Sequence, residues 1–212
     1  MAAYVMYSID DNPDYRSFLP ISIAAWNRLG WKTAVGYVNT EVQGLADNEI
    51  SYFSEKIKPS RIAMPFRFCL PNMMGFDDDD LVMTADADSI ILQAPWMDDA
   101  IIQAKHGKMV SIAHDWSQFN VVASWYVMAT VRTWRNVIPY LISELIDEYY
   151  EELNGEIGSS FDERWLYRDI YSRYKERFHF IVRPHDDRIN SQSLKNVCDI
   201  HCHLWDYRVF NL

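Results

Sequence analysis

Residues Leu81–Leu92 read LVMTADADSIIL: an apolar run, two carboxylates one residue apart, then a second apolar run. Carboxylates are seldom taken into a core, because leaving one unpaired there costs several kcal/mol, a large share of a domain's net stability. Leu81-Val82-Met83 therefore delivers Asp86 and Asp88 to the edge of a core, where a cation, a basic side chain or water must receive them. On an extended segment residues i and i+2 point the same way, so the two carboxylates could share one hard divalent ion. Asp77–Asp80, just before the run, read as a solvated turn.

The residues on the N-terminal side give this stretch its context. Tyr4–Ile9 is a short apolar, aromatic and β-branched run that predicts a buried strand. Tyr15–Leu29 carries Phe18, Ile21, Ala25, Trp26 and Leu29 at helical spacing, with Gly30 placed to end the helix. Trp31–Val38 predicts a second strand, so the chain opens as β-α-β, the start of a parallel sheet. The spacing of Ile50, Phe53 and Ile57 predicts an amphipathic helix over Asp47–Lys58, ended by Pro59. Arg61–Met64 suggests a third short strand, and Phe66–Met74 an apolar segment broken by Pro71. The class is α/β, and the Asp-x-Asp pair falls at the carboxyl end of a sheet strand, where open α/β sheets bind ligands.

On the C-terminal side, Lys108–Ala113 predicts a strand and Asn120–Ala129 a strand or bent strand pair. Arg132–Leu153 predicts the longest amphipathic helix, with Trp134, Ile138, Leu141, Leu145 and Tyr149 along one stripe. After the loop Asn154–Ser160, the S-x-x-E pattern of Ser160-Phe161-Asp162-Glu163 is a capping box opening a helix to about Arg177. Phe178–Val182 predicts a late strand. The tail is rich in histidine and aromatics, and includes Cys198-Asp199-Ile200-His201-Cys202-His203.

Composition excludes several function classes. With 212 residues, 49% apolar and 15% aromatic, the chain is globular and expected to form one domain. No apolar run approaches the roughly 18–20 residues of a bilayer span, and no signal peptide is expected. Three cysteines do not suit a disulfide framework, so a soluble, intracellular protein in a reducing compartment is the simpler expectation. A net charge of −10 argues against broad nucleic-acid binding but permits a phosphate-bearing small ligand with a cation.

Strand–helix–strand at the start, an arginine-bearing segment (Arg67) and a hydrophobic strand running into Asp86-Ala87-Asp88 together resemble a GT-A glycosyltransferase with a DxD motif. The small size and the form LVMTADADSIIL are similar to the compact glycosyltransferases of large algal (chlorella) viruses, which build capsid-protein glycans. The resemblance implies one GT-A domain with a mixed, mainly parallel sheet flanked by helices. Residues 1–95 would form the nucleotide-sugar-binding half and 96–212 the acceptor half with a metal-ligand tail. A longer parent protein is left open, and a viral setting implies the host cytoplasm.

The same resemblance implies roles for single residues. Asp86 and Asp88 would hold Mn²⁺ or Mg²⁺, Asp88 more directly and Asp86 nearer the ribose. Ser8, Ile9 and Asp10 would lie against the base and ribose, with Ala87 in the donor wall and Arg67 as a basic residue near the donor. A late histidine, His201 or His203, would complete the metal's ligands. Asp162, and after it Glu163, would act as general base from the start of a helix, although an acidic first turn also stabilises any helix. The donor is expected to be a UDP-sugar, the acceptor a glycan hydroxyl and the stereochemistry inversion.

Competing readings are a sugar nucleotidyltransferase and a non-catalytic carbohydrate-binding module. Ser8–Asp14 lacks the glycines of a nucleotidyltransferase phosphate loop, which counts against the first. A zinc site from Cys198, His201, Cys202 and His203 matches no common module, since neighbours on a strand point oppositely. Trp125 and Tyr126 could stack on a sugar, and His114-Asp115-Trp116 and His185–Arg188 could line or gate a pocket. Each has an equally simple structural role.

Overall fold

A computed structural model describes residues 1–112, 120–155, 161–182 and 199–201. Its centre is β1 (Ala3–Ile9). The chain leaves β1 through α1 (Pro13–Arg28) into β2 (Lys32–Val38), and continues outward to β3 (Asn48–Tyr52). It then returns through α2 (Pro59–Met73) to β4 (Leu81–Thr84), on the other side of β1. β1 to β4 are parallel to one another where they pair. The strand order therefore reverses between β1 and β4, which opens a crevice at their carboxyl ends.

The short β5 (Ser89–Ile91), α3 (Met97–Lys105), β6 (Met109–Ile112) and β7 (Val127–Thr130) follow. β7 lies antiparallel between β4 and β6, and β8 (Phe178–Ile181) pairs parallel with β6. The sheet is seven-stranded in the order β3-β2-β1-β4-β7-β6-β8, mixed and mostly parallel in its first half. β9 (Asp199–His201) pairs antiparallel with β5 in a separate two-stranded sheet. One hydrophobic core lies under α2 and the later helices, and another lies under α1 and α3.

Several elements differ from the expectations. Asp47–Lys58 contains the edge strand β3, not a helix. The Glu49 carboxylate accepts from four successive backbone N–H groups, Gln43 to Ala46, at 2.6–2.9 Å, and this fixes the loop leading into the strand. Arg61–Met64 and Phe66–Met74 are not a strand and a broken segment. Both belong to α2, which continues through Pro65 and Pro71. Each proline costs the helix a hydrogen bond, and burial of Ile62, Phe66, Phe68 and Leu70 offsets that loss.

Arg132–Leu153 is three short helices: α4 (Val131–Val137), α5 (Ile142–Glu148) and α6 (Tyr150–Asn154). Pro139 drives the preceding Ile138 out of the helical region, to φ −124° and ψ 77°. The stripe of Trp134, Ile138, Leu145 and Tyr149 is nonetheless buried, while Leu141 is exposed. In Asn120–Ala129 only the last three residues belong to a strand. The helix opened at Phe161 is α7 (Phe161–Trp165), followed by a π-helical stretch, Leu166–Tyr171, and a 3-10 turn, Lys175–Arg177. Ser160, the expected cap, lies outside the described residues, as do His114–Trp116 and His185–Arg188. Among the described residues no helix is long and apolar enough to cross a membrane.

Candidate active site

A cavity of about 790 Å³ opens at the carboxyl ends of β1 and β4. Ser8, Ile9 and Asp10 enter it from the end of β1, and Asp86, Ala87 and Asp88 from the turn after β4. Arg67 enters from α2, and Asp162 and Glu163 from α7. The described candidate residues thus share one cavity, apart from the tail. Trp125 also lines it, whereas Tyr126 is core, packed against Trp26 and Trp96.

The Asp86–Asp88 segment is a turn rather than the extended strand expected. Ala85 N–H donates to Met6 O at 3.0 Å and ends the β1–β4 ladder, and Ser89 N–H donates back to Asp86 O at 3.0 Å. From α1, the buried Ser22 hydroxyl donates to Ala87 O at 2.7 Å and reaches Ser89 O at 3.2 Å. Both carboxylates still face the cavity, held by the turn and by α1 instead of by strand alternation.

Arg67 is the hub of the site. Its guanidinium donates to the carboxylates of Asp86 and Asp162, the latter at 3.0 Å, to Ser124 Oγ at 3.0 Å and to Ala85 O at 3.2 Å. Burial alone would lower its basicity, but the two carboxylates outweigh that and raise it. Its backbone N–H donates to Ser8 Oγ at 3.2 Å, and Ser8 Oγ donates to Ala63 O, which ties α2 to the end of β1. The close approach of α2 to the sheet depends on Gly36, beside Ser8 in β2. A Cβ there would stand 2.7 Å from the Phe66 ring.

The two α7 carboxylates are in different environments. Asp162 is 5% exposed and bound to Arg67. Glu163 is partly buried without that partner. Burial first, then the nearby charges of Asp162 and Asp86, push its carboxyl up to about 7 against the relief given by Arg67 and Arg164.

Several cavity residues were not among the candidates. Tyr15, on the first turn of α1, has its hydroxyl raised by burial and then by Asp88, Asp86, Asp10 and Asp14, so four carboxylates converge on that end of the cavity. Lys58, Ser60 and Arg61 line the cavity from the start of α2. Ending a helix at Lys58 and assigning Arg61 to a strand hid this helix start, which only Pro59 could have signalled.

Whether the site suits a cation is a question of donors. Asp86 and Asp88 offer hard oxygen ligands of the kind Mn²⁺ and Mg²⁺ take. Among the described residues no three His, Cys, Asp or Glu side chains group closely enough to hold a metal. β9 nonetheless returns to this place: His201 pairs in register with Ser89, the residue after Asp88. His203 lies outside the described residues. Asp86 and Asp88 are thus two hard oxygen donors at the cavity, with the strand of His201 alongside.

The same architecture occurs in solved structures. The glycosyltransferase GlyE of Streptococcus pneumoniae TIGR4 matches at 15% identity with a TM-score of 0.50, over 85% of this chain and 45% of that one. The galactosyltransferase LgtC, solved with donor and acceptor sugar analogs, matches at 10% identity and a TM-score of 0.51, over 84% of this chain and 72% of that one. An active-site mutant of LgtC matches at 11% identity and a TM-score of 0.53 over the same shares. This chain thus spans a little under half the length of GlyE. No family model and no curated protein matches it. These likenesses show the fold: this is an α/β chain with the GT-A architecture of those glycosyltransferases.

Proposed function

We propose that the protein is a metal-dependent glycosyltransferase that moves a sugar from a nucleotide-diphosphate donor, a UDP-sugar, to a glycan hydroxyl with inversion. One observation carries this reading. The crevice where the strand order reverses gathers a carboxylate pair, a buried arginine and an acidic helix start from three separate parts of the chain. Such a crevice is the ligand site of open α/β sheets. The setting we carry with the proposal, from the sequence resemblance, is glycan synthesis for the capsid of a large algal virus.

The chemistry needs few groups. When bound at Asp86 and Asp88, a divalent cation would supply Lewis-acid stabilisation to the departing diphosphate. Ser8, Ile9 and Asp10 would form the wall for the nucleoside. The acceptor oxygen attacks the anomeric carbon, the bond to the diphosphate oxygen breaks, and its electron pair leaves with the diphosphate. The acceptor's proton goes to Glu163. We assign the base to Glu163 rather than Asp162, because its carboxyl sits near 7 in the cavity, where a base works best. Asp162, committed to Arg67, is a positioning residue.

Incubation with UDP- and GDP-sugars and Mn²⁺, with release of free sugar and nucleotide followed, tests the reading. Hydrolysis of a UDP-sugar that stops on chelation supports it. Sugar binding indifferent to metal and nucleotide would instead favour a binding module.

A further inference from the structure

The proposed chemistry leaves one part of the cavity unused. Five carboxylates line it: Asp10, Asp86, Asp88, Asp162 and Glu163. At the start of α2, however, its wall is basic. Lys58 is the N-cap of that helix and Arg61 lies in its first turn, and both line the cavity with Ser60. Cations at a helix N-terminus oppose the helix dipole, and acidic residues normally occupy such a turn. The first turn of α2 contains none, and no side chain caps it.

Among the described residues Lys58 and Arg61 have no carboxylate within salt-bridge distance, although the chain carries a net charge of −10. Arg61 donates one N–H to Leu153 O at 2.8 Å, which fixes the side chain and leaves other guanidinium donors for a ligand. Lys56, by contrast, lies outside the cavity and is paired with Asp147 at 3.1 Å. At 1.5 Å per helical residue, Arg61 lies about 9 Å and Lys58 about 14 Å along α2 from Arg67. Both therefore stand apart along α2 from Arg67, whose guanidinium holds Asp86.

We propose that Lys58 and Arg61 bind an anionic group, a carboxylate or a phosphate, on the glycan acceptor. This rests on the glycosyltransferase reading and names its acceptor class. The acidic end of the cavity takes the donor through a cation, and the basic end selects acceptors of opposite charge.

The test is an NMR chemical-shift titration with glucuronate, glucose-6-phosphate and neutral glucose, in the presence of UDP and Mn²⁺. The wild type binds at least one of the charged sugars about tenfold more tightly than glucose, the size of one charge-assisted hydrogen bond. The better probe identifies carboxylate or phosphate. Lys58→Glu, at an exposed position, removes the preference, and Lys56→Gln keeps it. Equal binding of all three sugars, a preference that survives Lys58→Glu, or displacement of glucose-6-phosphate by UDP overturns the proposal. UDP and Mn²⁺ binding, measured separately, reports on the glycosyltransferase reading, so the two can fail independently.

Discussion

Arg67 and Asp162 stand 95 positions apart in sequence and are joined by a 3.0 Å hydrogen-bonded ion pair. Both side chains are more than nine-tenths buried. The same guanidinium holds Asp86, so one side chain ties the turn after β4 to the first turn of α7. Breaking a buried pair leaves an uncompensated charge, at a cost of about 3–5 kcal/mol. Arg67→Met is therefore expected to lower unfolding free energy by about that amount in urea titrations. A loss below about 1 kcal/mol would mean that the pair is solvated.

Glu163 makes stability depend on pH. Its carboxyl is raised from 4.5 to about 7, so between those values the folded chain keeps a proton that the unfolded chain has released. The contribution is fully present below pH 4.5 and lost as pH rises through about 7. Thermal melting of wild type against Glu163→Gln should show the wild type losing stability relative to the variant across this window. Parallel curves would show that Glu163 titrates normally.

The same residue is expected to set the rate. Glu163→Gln retains UDP binding and loses transfer by about 10²–10⁴-fold, the usual contribution of a general base. In the wild type, kcat/KM rises with pH through about 7 and then levels. If Asp162→Asn abolishes transfer while Glu163→Gln does not, the base is Asp162.

Gly36 is the third handle. A methyl group there meets Phe66 at 2.7 Å and Leu70 at 3.0 Å, both buried under the sheet. Overpacking of this kind costs about 1–3 kcal/mol. Gly36→Ala should lower the melting temperature and, by displacing α2, weaken UDP binding. Unchanged UDP affinity in a destabilised variant would separate the helix position from the donor site.

The sequence reading was strongest where local signals agreed. Tyr4–Ile9, Trp31–Val38 and Leu81–Met83 are buried runs rich in aliphatic and aromatic residues, and each is a strand of the central sheet. The stretch after Asp47 misled because three apolar residues at helical spacing are too few to set a period. The Glu49 contacts that fix the loop before β3 are invisible without the fold. In α2, Pro65 and Pro71 are breakers by local rules, and only burial against β1 and β2 overrides them. That error hid Arg61, and closing an expected helix at Lys58 hid Lys58. The buried ion pairs of Arg67 were unreadable for a different reason: nothing local to Arg67 or Asp162 indicates that α7 lies against α2. The pairing of His201 with Ser89, 112 positions apart in sequence, is likewise a property of the fold.

The proposed function turns on a cation, held by Asp86 and Asp88, that receives a nucleotide diphosphate. Calorimetric titration of UDP, with Mn²⁺ and with chelator, into wild type and Asp88→Ala tests it most directly. UDP is expected to bind the wild type at least about tenfold more tightly with Mn²⁺, and Asp88→Ala is expected to lose this gain. UDP affinity that is equal with and without metal, or unchanged in Asp88→Ala, would contradict it.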